Sequence, residues 1–400
     1  MAGLGRPLRL LVTSSLYPST ARPGFGVFVE NRLRHLVASG EAAARVVAPV
    51  PWTPGAGLLS AERRLLDAEP PAEQRHGIDI LRPRYLHLPR IGMSVQPWLL
   101  YRALRRTALD LLAAGERFDA IDAHYAYPDG VAAALLAREL GLKLVVTARG
   151  TDLNLIPRHA LPRRWLRLLA SRADRLVAVC SALADIWVEL GADPGRVQVL
   201  RNGVDLDLFR PLPREALRAR LGIEGPCLLA VGQLIPRKRP GLLVEALPML
   251  PGVQLLFAGE GPLRGELEAA AAGLGVAARV RFLGAVPHER LPEIYNAADC
   301  LALVSEREGW ANVLLEAMAC GTPVVASAVW GTPEVVTAPE AGCLLQRCDP
   351  PAIAAAVRAL LAAAPARAAT RRYAEGFGWE ATTRGQLELF RSLTGRGGEP

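Results

Sequence analysis

Ser305 to Val325 reads SEREGWANVLLEAMACGTPVV. Its first turn carries two carboxylates and a glycine, Glu306, Glu308 and Gly309. A helical run follows from Asn312 to Ala319, and Gly321 with Pro323 close behind is a strong helix stop. The residues just before it, Leu301-Ala302-Leu303-Val304, form a continuous apolar run that predicts a buried strand. The stretch is therefore strand, loop, helix, turn, strand, and such units place the loop at the carboxyl edge of a parallel sheet, where open α/β folds bind ligands. Backbone N–H groups from Gly309 to Asn312 are expected to be unpaired at the helix start and to favour an anion. Glu316, about a turn inside the helix, and Glu308, in the loop, are spaced to hold two hydroxylated rings. On this stretch alone they read equally as solvated loop and helix acids.

Outward from this unit the chain keeps alternating. In the second half, Leu228–Gly232, Val253–Ala258 and Val280–Gly284 predict strands, separated by the basic turn Arg237-Lys238-Arg239 and by Gly259-Glu260-Gly261. A helix is expected over Pro351–Ala364, and Tyr373–Leu393 carries enough apolar surface to pack back on the body. In the first half, the strand Leu8–Thr13 leads through Gly24-Phe25-Gly26 into a helix from Val27 to about Ala38. Residues 51–95 are rich in Pro, Gly and Arg and predict no definite element. A helix follows over Pro97–Gly115, then the strand Ala120–His124, the turn Pro128-Asp129-Gly130 and the helix Val131–Leu140. Strands at Leu142–Thr147, Arg175–Cys180 and Val197–Leu200 complete the half, the first closing on Arg149-Gly150-Thr151-Asp152. This order predicts an α/β chain of doubly wound parallel sheets. The boundary falls near Asn202-Gly203, giving domains over 1–200 and 201–376, with 377–400 as a helix and tail returning toward the first.

Composition agrees with two folded domains. The chain has 400 residues and is 51% hydrophobic, with a mean hydropathy of +0.19, too apolar for disorder. No apolar run is long enough to span a bilayer, and Leu8–Thr13 reads as a first strand better than as a signal sequence. The six cysteines contain no C-x-x-C pair, which predicts buried reduced thiols in the cytoplasm. Residues 1–200 hold 26 Lys+Arg against 18 Asp+Glu, whereas residues 201–400 hold 21 of each, so the whole excess of +8 lies in the first half. That half is expected to meet something anionic. Nucleic acid is a poor fit, because aromatics are only 6% and the basic residues are diffuse. Arg158, Arg163, Arg164, Arg167, Arg172 and Arg175 surround Trp165 and Leu168. They suit either a helix with a solvated edge or an anionic membrane surface at the inner face. Only Lys143 and Lys238 are lysines.

Gly232 with Lys238, Gly259-x-Gly261, Phe282-Leu283-Gly284, Glu308-Gly309, Glu316 and Gly331-Thr332-Pro333-Glu334 occur in one order. With Asn202-Gly203-Val204-Asp205 they closely resemble the donor half of glycosyltransferase family 4, retaining enzymes of the GT-B fold. The resemblance is dense from about Ala173 to Val336 and looser in the first half, through Gly24-x-Gly26, His124, Asp129 and Asp152. It implies two Rossmann-like domains facing across a cleft, the second holding a nucleotide-diphosphate sugar and the first an acceptor, a glycan or lipid-linked glycan. By the same resemblance Lys238 and Glu308 are the catalytic pair. Gly232, Gln233, Arg237, Lys238, Leu283, Gly309, Trp310, Ala311, Asn312 and Glu316 form the donor site. Gly24, Phe25, Gly26, His124, Arg149 and Asp152 lie on the acceptor side. No cofactor or metal is expected, and Asp205-x-Asp207 has too few neighbouring oxygens to hold a divalent ion.

Three positions depart from the usual pattern. Gln233 stands where arginine usually follows the glycine, leaving half of the positive pair unless Arg237 turns in. Arg149 replaces the histidine of His-Gly, and a permanent cation cannot act as a base. Trp310 replaces a more common phenylalanine. Retaining members are described as front-face enzymes in which the leaving diphosphate helps to deprotonate the acceptor, so no protein nucleophile is needed. A sugar-nucleotide epimerase or hydrolase of the same architecture is the alternative enzyme, with His124 and Asp129 as its candidate acid/base groups. A basic nucleic-acid-binding protein is the non-enzyme alternative.

Overall fold

A computed structural model describes residues 6–53, 61–88 and 92–395. The first five and last five residues, 54–60 and 89–91 lie outside it, and with them the ends of the expected first and last segments. The chain divides into two compact units, one of Met1–Asn202 with Glu380–Pro400 and one of Gly203–Trp379.

The strands of the first unit are β1 (Leu8–Thr13), β2 (Ala42–Val47), β3 (Val50–Trp52), β4 (Ala72–Arg75), β5 (Ile78–Leu81), β6 (Arg84–Leu86), β7 (Ala120–His124), β8 (Lys143–Ala148), β9 (Arg175–Ala178) and β10 (Val197–Val199). Eight of them form one sheet in the order β10-β9-β8-β7-β1-β2-β5-β4, parallel except for the β4–β5 hairpin. Strand β1 reads as an unbroken apolar run because both of its faces are covered: Leu10, Leu11 and Val12 are fully buried, each worth about 1.5–3 kcal/mol. The order reverses between β1 and β7, so the loops after these two strands meet. The helix Glu380–Thr394 belongs to this unit. Its Leu387, Leu389 and Phe390 join the core with Leu10, Val12 and Leu33, and Thr382 donates to the Arg201 carbonyl at 2.6 Å.

The described residues of 51–95, a range that carries no clear pattern, fold into short pieces: the paired strands β3 and β6, the helix Ala61–Asp67 and the β4–β5 hairpin. The helix expected from Pro97 starts earlier and spans Gly92–Ala113, with Pro97 inside it. Proline supplies no N–H for the carbonyl four residues back. That carbonyl, of Met93, instead accepts the Tyr127 hydroxyl, so the acceptor that the proline leaves without its helical donor is satisfied.

The second unit is one six-stranded parallel sheet. Its strands are β11 (Cys227–Val231), β12 (Gln254–Ala258), β13 (Val280–Phe282), β14 (Cys300–Leu303), β15 (Val324–Ser327) and β16 (Gly342–Leu345), in the order β13-β12-β11-β14-β15-β16. Numbered within the unit this is 3-2-1-4-5-6, the dinucleotide-binding order, with its switch point between β11 and β14. The helix Pro350–Ala363 covers one face; the Asp349 carboxylate caps it by accepting from the Ala352 amide, and Ile353, Ala354 and Val357 are buried against the strands. Among the described residues no single helix is long and apolar enough to cross a membrane. The six cysteines are free thiols, and burial pushes those of Cys227 and Cys320 up to about 12.

Candidate active site

The switch point of the second unit is built from backbone first. Strand β11 ends at Gly232, whose φ of 131° suits glycine. Its neighbour Gly259, after β12, has φ 151°, and a Cβ there would lie 1.9 Å from the Gly232 carbonyl oxygen. A Cβ on Gly261 would lie 2.4 Å from the Leu234 oxygen. The two loops therefore run backbone against backbone, which only glycine permits. On the β14 side, the turn Pro236–Lys238 is stitched to the loop leaving β14. Glu306 N–H donates to the Arg237 carbonyl at 2.9 Å, Arg237 Nη1 to the Arg307 carbonyl at 2.8 Å, and Arg239 to the Val304 and Ser305 carbonyls at 3.0 and 3.2 Å.

This stitching delivers Lys238 Nζ to 2.5 Å from Glu308 Oε1, with Arg237 Nη1 3.6 Å from Oε2. Arg237 has thus turned toward the pair, while Gln233 is exposed. Glu308 is 8% exposed and sits between two cations. The lysine, a compact charge on a flexible stem, is suited to meeting phosphate. Trp310 and Ala311 are buried and lead into the helix Asn312–Ala319. Asn312 is not among the unpaired amides expected at the helix start. Its N–H is instead taken by the Trp310 carbonyl at 3.1 Å, because the loop closes a tight turn before the helix begins. Leu283, at the end of β13, donates its N–H to the Phe257 carbonyl at 2.8 Å and so extends the strand ladder past Phe282.

Glu316, on the fifth residue of that helix, has partners the sequence reading missed. Tyr295 OH donates to Glu316 Oε2 at 2.7 Å, and His288 Nε2 lies 3.4 Å from Oε1. Both partners come from the segment between β13 and β14, and no local spacing marks them. Asp205 accepts from the Asp207 and Leu208 amides at 3.1 and 3.0 Å, which is a turn cap. Among the described residues no group of three or more His, Cys, Asp or Glu is placed to hold a metal ion.

The first unit gathers its own candidates at the ends of β7 and β8. Arg149 Nη2 lies 2.7 Å from His124 Nδ1 and Nη1 donates to Asn202 Oδ1 at 2.9 Å. Arginine only donates, so Nδ1 accepts and the proton of a neutral His124 sits on Nε2, 3.4 Å from Asp122 Oδ2. Burial, reinforced by Arg149 and Arg32, pushes His124 below its ordinary value despite Asp122. Burial and Arg32 likewise push Arg149 well down. Arg149 is therefore an internal strut, packed over the Phe28 ring at 5.5 Å. Asp152 accepts from the Ala126 and Gly150 amides, each at 2.7 Å, and burial raises its pKa against those bonds. Asp129 accepts from Ser15 N and Oγ at 2.5 and 2.8 Å, tying together the loops after β1 and β7. Burial lifts it to about 7. Gly26, with φ 76°, begins the helix Val27–Ala38, and a Cβ there would meet the Leu16 carbonyl carbon at 2.5 Å. Gly24 is exposed, and Phe25 lies under the Arg22 guanidinium at 4.1 Å.

Two units on parallel sheets, the second with a lysine–glutamate pair at a dinucleotide-type switch point, have the make-up of a ligand-binding α/β protein. The sequence matches the family model of glycosyl transferases group 1 over residues 213–377 and that of glycosyltransferase family 4 over residues 24–208. A D-inositol 3-phosphate glycosyltransferase of Catenulispora acidiphila is 34% identical over 338 residues, 77% of this chain and 80% of that one. In two further curated relatives of that name the match covers 51% and 55% of their own length. In fold, the chain is similar to sucrose-phosphate synthase from Thermosynechococcus elongatus, with a TM-score of 0.80 at 22% identity over 98% of this chain and 100% of that one. It is also similar to Anabaena HepE in complex with UDP-glucose, with a TM-score of 0.72 at 21% identity over 96% of this chain and 100% of that one. The chain belongs to glycosyltransferase family 4. It is an enzyme that transfers sugar from a nucleotide-sugar donor.

Proposed function

We propose that this enzyme moves a hexosyl unit from a nucleoside-diphosphate sugar to an acceptor hydroxyl, with retention of anomeric configuration. The observation that carries this reading is the Lys238 ammonium at 2.5 Å from Glu308, beside the glycine loops at the switch point of the second unit. In the resting site the lysine pairs with Glu308. With donor bound it turns to the diphosphate and stabilises the charge that appears there as the glycosidic bond breaks. Glu308 then holds the transferred sugar, Glu316 the ribose, and the amides of the Gly309–Ala311 loop face the phosphates. Arg237 supplies the second positive charge that Gln233 does not. The leaving diphosphate assists removal of the acceptor proton, so the protein chiefly positions substrates and screens charge.

The acceptor is a glycan or lipid-linked glycan, and polysaccharide or glycolipid assembly is the setting this implies. The name of the Catenulispora relative favours a second reading, a phosphorylated polyol as acceptor. Incubation with UDP-, GDP- and ADP-sugars separates transfer from hydrolysis. Nucleoside diphosphate release that rises at least ~10-fold on adding acceptor supports transfer. Release at the same rate without acceptor points to a hydrolase. Parallel reactions with inositol phosphate and with a lipid-linked glycan separate the two acceptors.

A peripheral membrane location is part of the same proposal. The helix Ala160–Arg172 buries Leu166 and Leu169 and leaves Arg163, Arg164, Arg167 and Arg172 exposed. Trp165 and Leu168 line a groove against Ala134 and Leu135 of the helix Val131–Leu140. Co-sedimentation with anionic liposomes is expected at low salt and lost near ~0.5 M, where the screening length is only a few ångströms. Absence of binding at low salt ends the idea.

A further inference from the structure

Glu316 is 9% exposed, and its carboxylate is held from two sides. Tyr295 OH reaches Oε2 at 2.7 Å and His288 Nε2 lies 3.4 Å from Oε1. Both partners are themselves fixed. Phe209 meets the His288 ring edge-on at 5.2 Å and the Tyr295 ring at 5.9 Å, and Phe209 is 1% exposed. A carboxylate offers about four lone-pair directions. With one on each oxygen engaged, one on each oxygen remains, spaced as a pair of adjacent hydroxyls requires.

We propose that Tyr295 and His288 are positioning residues that lock Glu316 as a clamp for the vicinal 2′- and 3′-hydroxyls of the donor nucleotide. The inference rests on the reading of Glu316 as the ribose ligand and adds what orients it. Without Tyr295 the carboxylate rotates, and the two free lone pairs no longer match the diol. Without His288 the second oxygen loses its anchor.

The clamp is also pH-dependent. His288 faces the carboxylates of Glu316 from the helix below, Asp205 from the segment leading into the unit and Glu289 from its own turn, with the Tyr295 hydroxyl beside Glu316. Burial works against its charge. The hydrogen bond and charge of Glu316, joined by Glu289 and Asp205, outweigh this and raise its pKa above the ordinary value. The imidazolium is therefore held to higher pH than a free imidazole and is lost as pH rises through that raised value. Charge-assisted anchoring of Glu316 weakens in the same range.

Calorimetry with UDP, GDP and ADP and their 2′-deoxy counterparts tests the proposal on the full chain. The wild type should bind its best ribonucleotide at least ~10-fold tighter than the deoxy form. Tyr295→Phe and His288→Gln should each weaken the ribonucleotide about 5–10-fold and the deoxy form, which keeps only the 3′-hydroxyl, by less, so that the ratio falls. Ribonucleotide affinity should drop about 3-fold between pH 6 and pH 9 in the wild type and stay flat in His288→Gln. If Glu316→Gln leaves the ribo-to-deoxy ratio untouched, the ribose reading fails and the clamp fails with it. If Glu316→Gln abolishes the ratio while both other variants keep it, the clamp alone is overturned. Should Tyr295→Phe fail to fold, the half-buried His288 and its pH profile carry the test.

Discussion

Replacing Lys238 with alanine is expected to lower kcat by ~10²–10³, the usual loss when one donor aimed at developing charge is removed. The magnitude follows from placement. Lys238 Nζ is 2.5 Å from Glu308 Oε1 while the other cation, Arg237, is at 3.6 Å, so Lys238 is the closer charge at this corner. Removing it also leaves Glu308 in an 8% exposed position with only the longer contact. An uncompensated buried carboxylate costs roughly 3–5 kcal/mol at worst, less here because Arg237 can close in. Lys238→Arg separates the two effects. It restores a partner for Glu308 and hence stability, but a planar fork does not reproduce a compact ammonium on phosphate, and kcat should recover only in part. The measurement is steady-state turnover with purified donor beside thermal unfolding of each variant. Near-native kcat in Lys238→Ala removes the leaving-group role.

The second large effect is expected at Gly259. Alanine there adds a Cβ 1.9 Å from the Gly232 oxygen and 2.7 Å from its carbonyl carbon, at a φ of +151°. Backbone atoms cannot rotate aside as a side-chain tip can. Strain at a glycine-only conformation adds about 1–3 kcal/mol and forced overpacking about 1–3 more, so Gly259→Ala should lose roughly 2–6 kcal/mol in denaturant unfolding. Because the displaced partner is Gly232 itself, nucleotide affinity should fall with it. Gly265→Ala is the matched control: its Cβ enters open space in the helix Arg264–Gly273. It should gain about 0.5–1 kcal/mol. Equal stability of the two variants would show that the loops separate at little cost.

Most of the parallel strands were legible in the sequence because a strand covered on both faces is an unbroken apolar run, as in Leu8–Thr13 and Leu301–Val304. The glycines around Lys238 were legible for a similar reason, since close backbone approach leaves a residue type as its trace. Side-chain partnerships were not. Ser15 reaches Asp129 across 114 positions and Arg149 reaches Asn202 across 53, distances at which only the strand order decides who meets whom. Arg149 illustrates the limit. Its identity suggested a cation offered to an acceptor, yet burial and the acceptors Asn202 and His124 make it an internal strut. His288 and Tyr295 escaped notice because an ordinary turn and an ordinary helix carry them.

The first unit is assembled from two stretches of chain separated by the whole of the second. Leu387, Leu389 and Phe390 enter its core only after Gly203–Trp379 has been made. During synthesis the second unit can reach its final packing while the earlier-made unit still waits for its last helix. The usual order, in which the amino-terminal body folds first on the ribosome, is thereby inverted in completion. A nascent chain stalled before Glu380 would hold one finished lobe and one with an open seam over Leu10 and Val12.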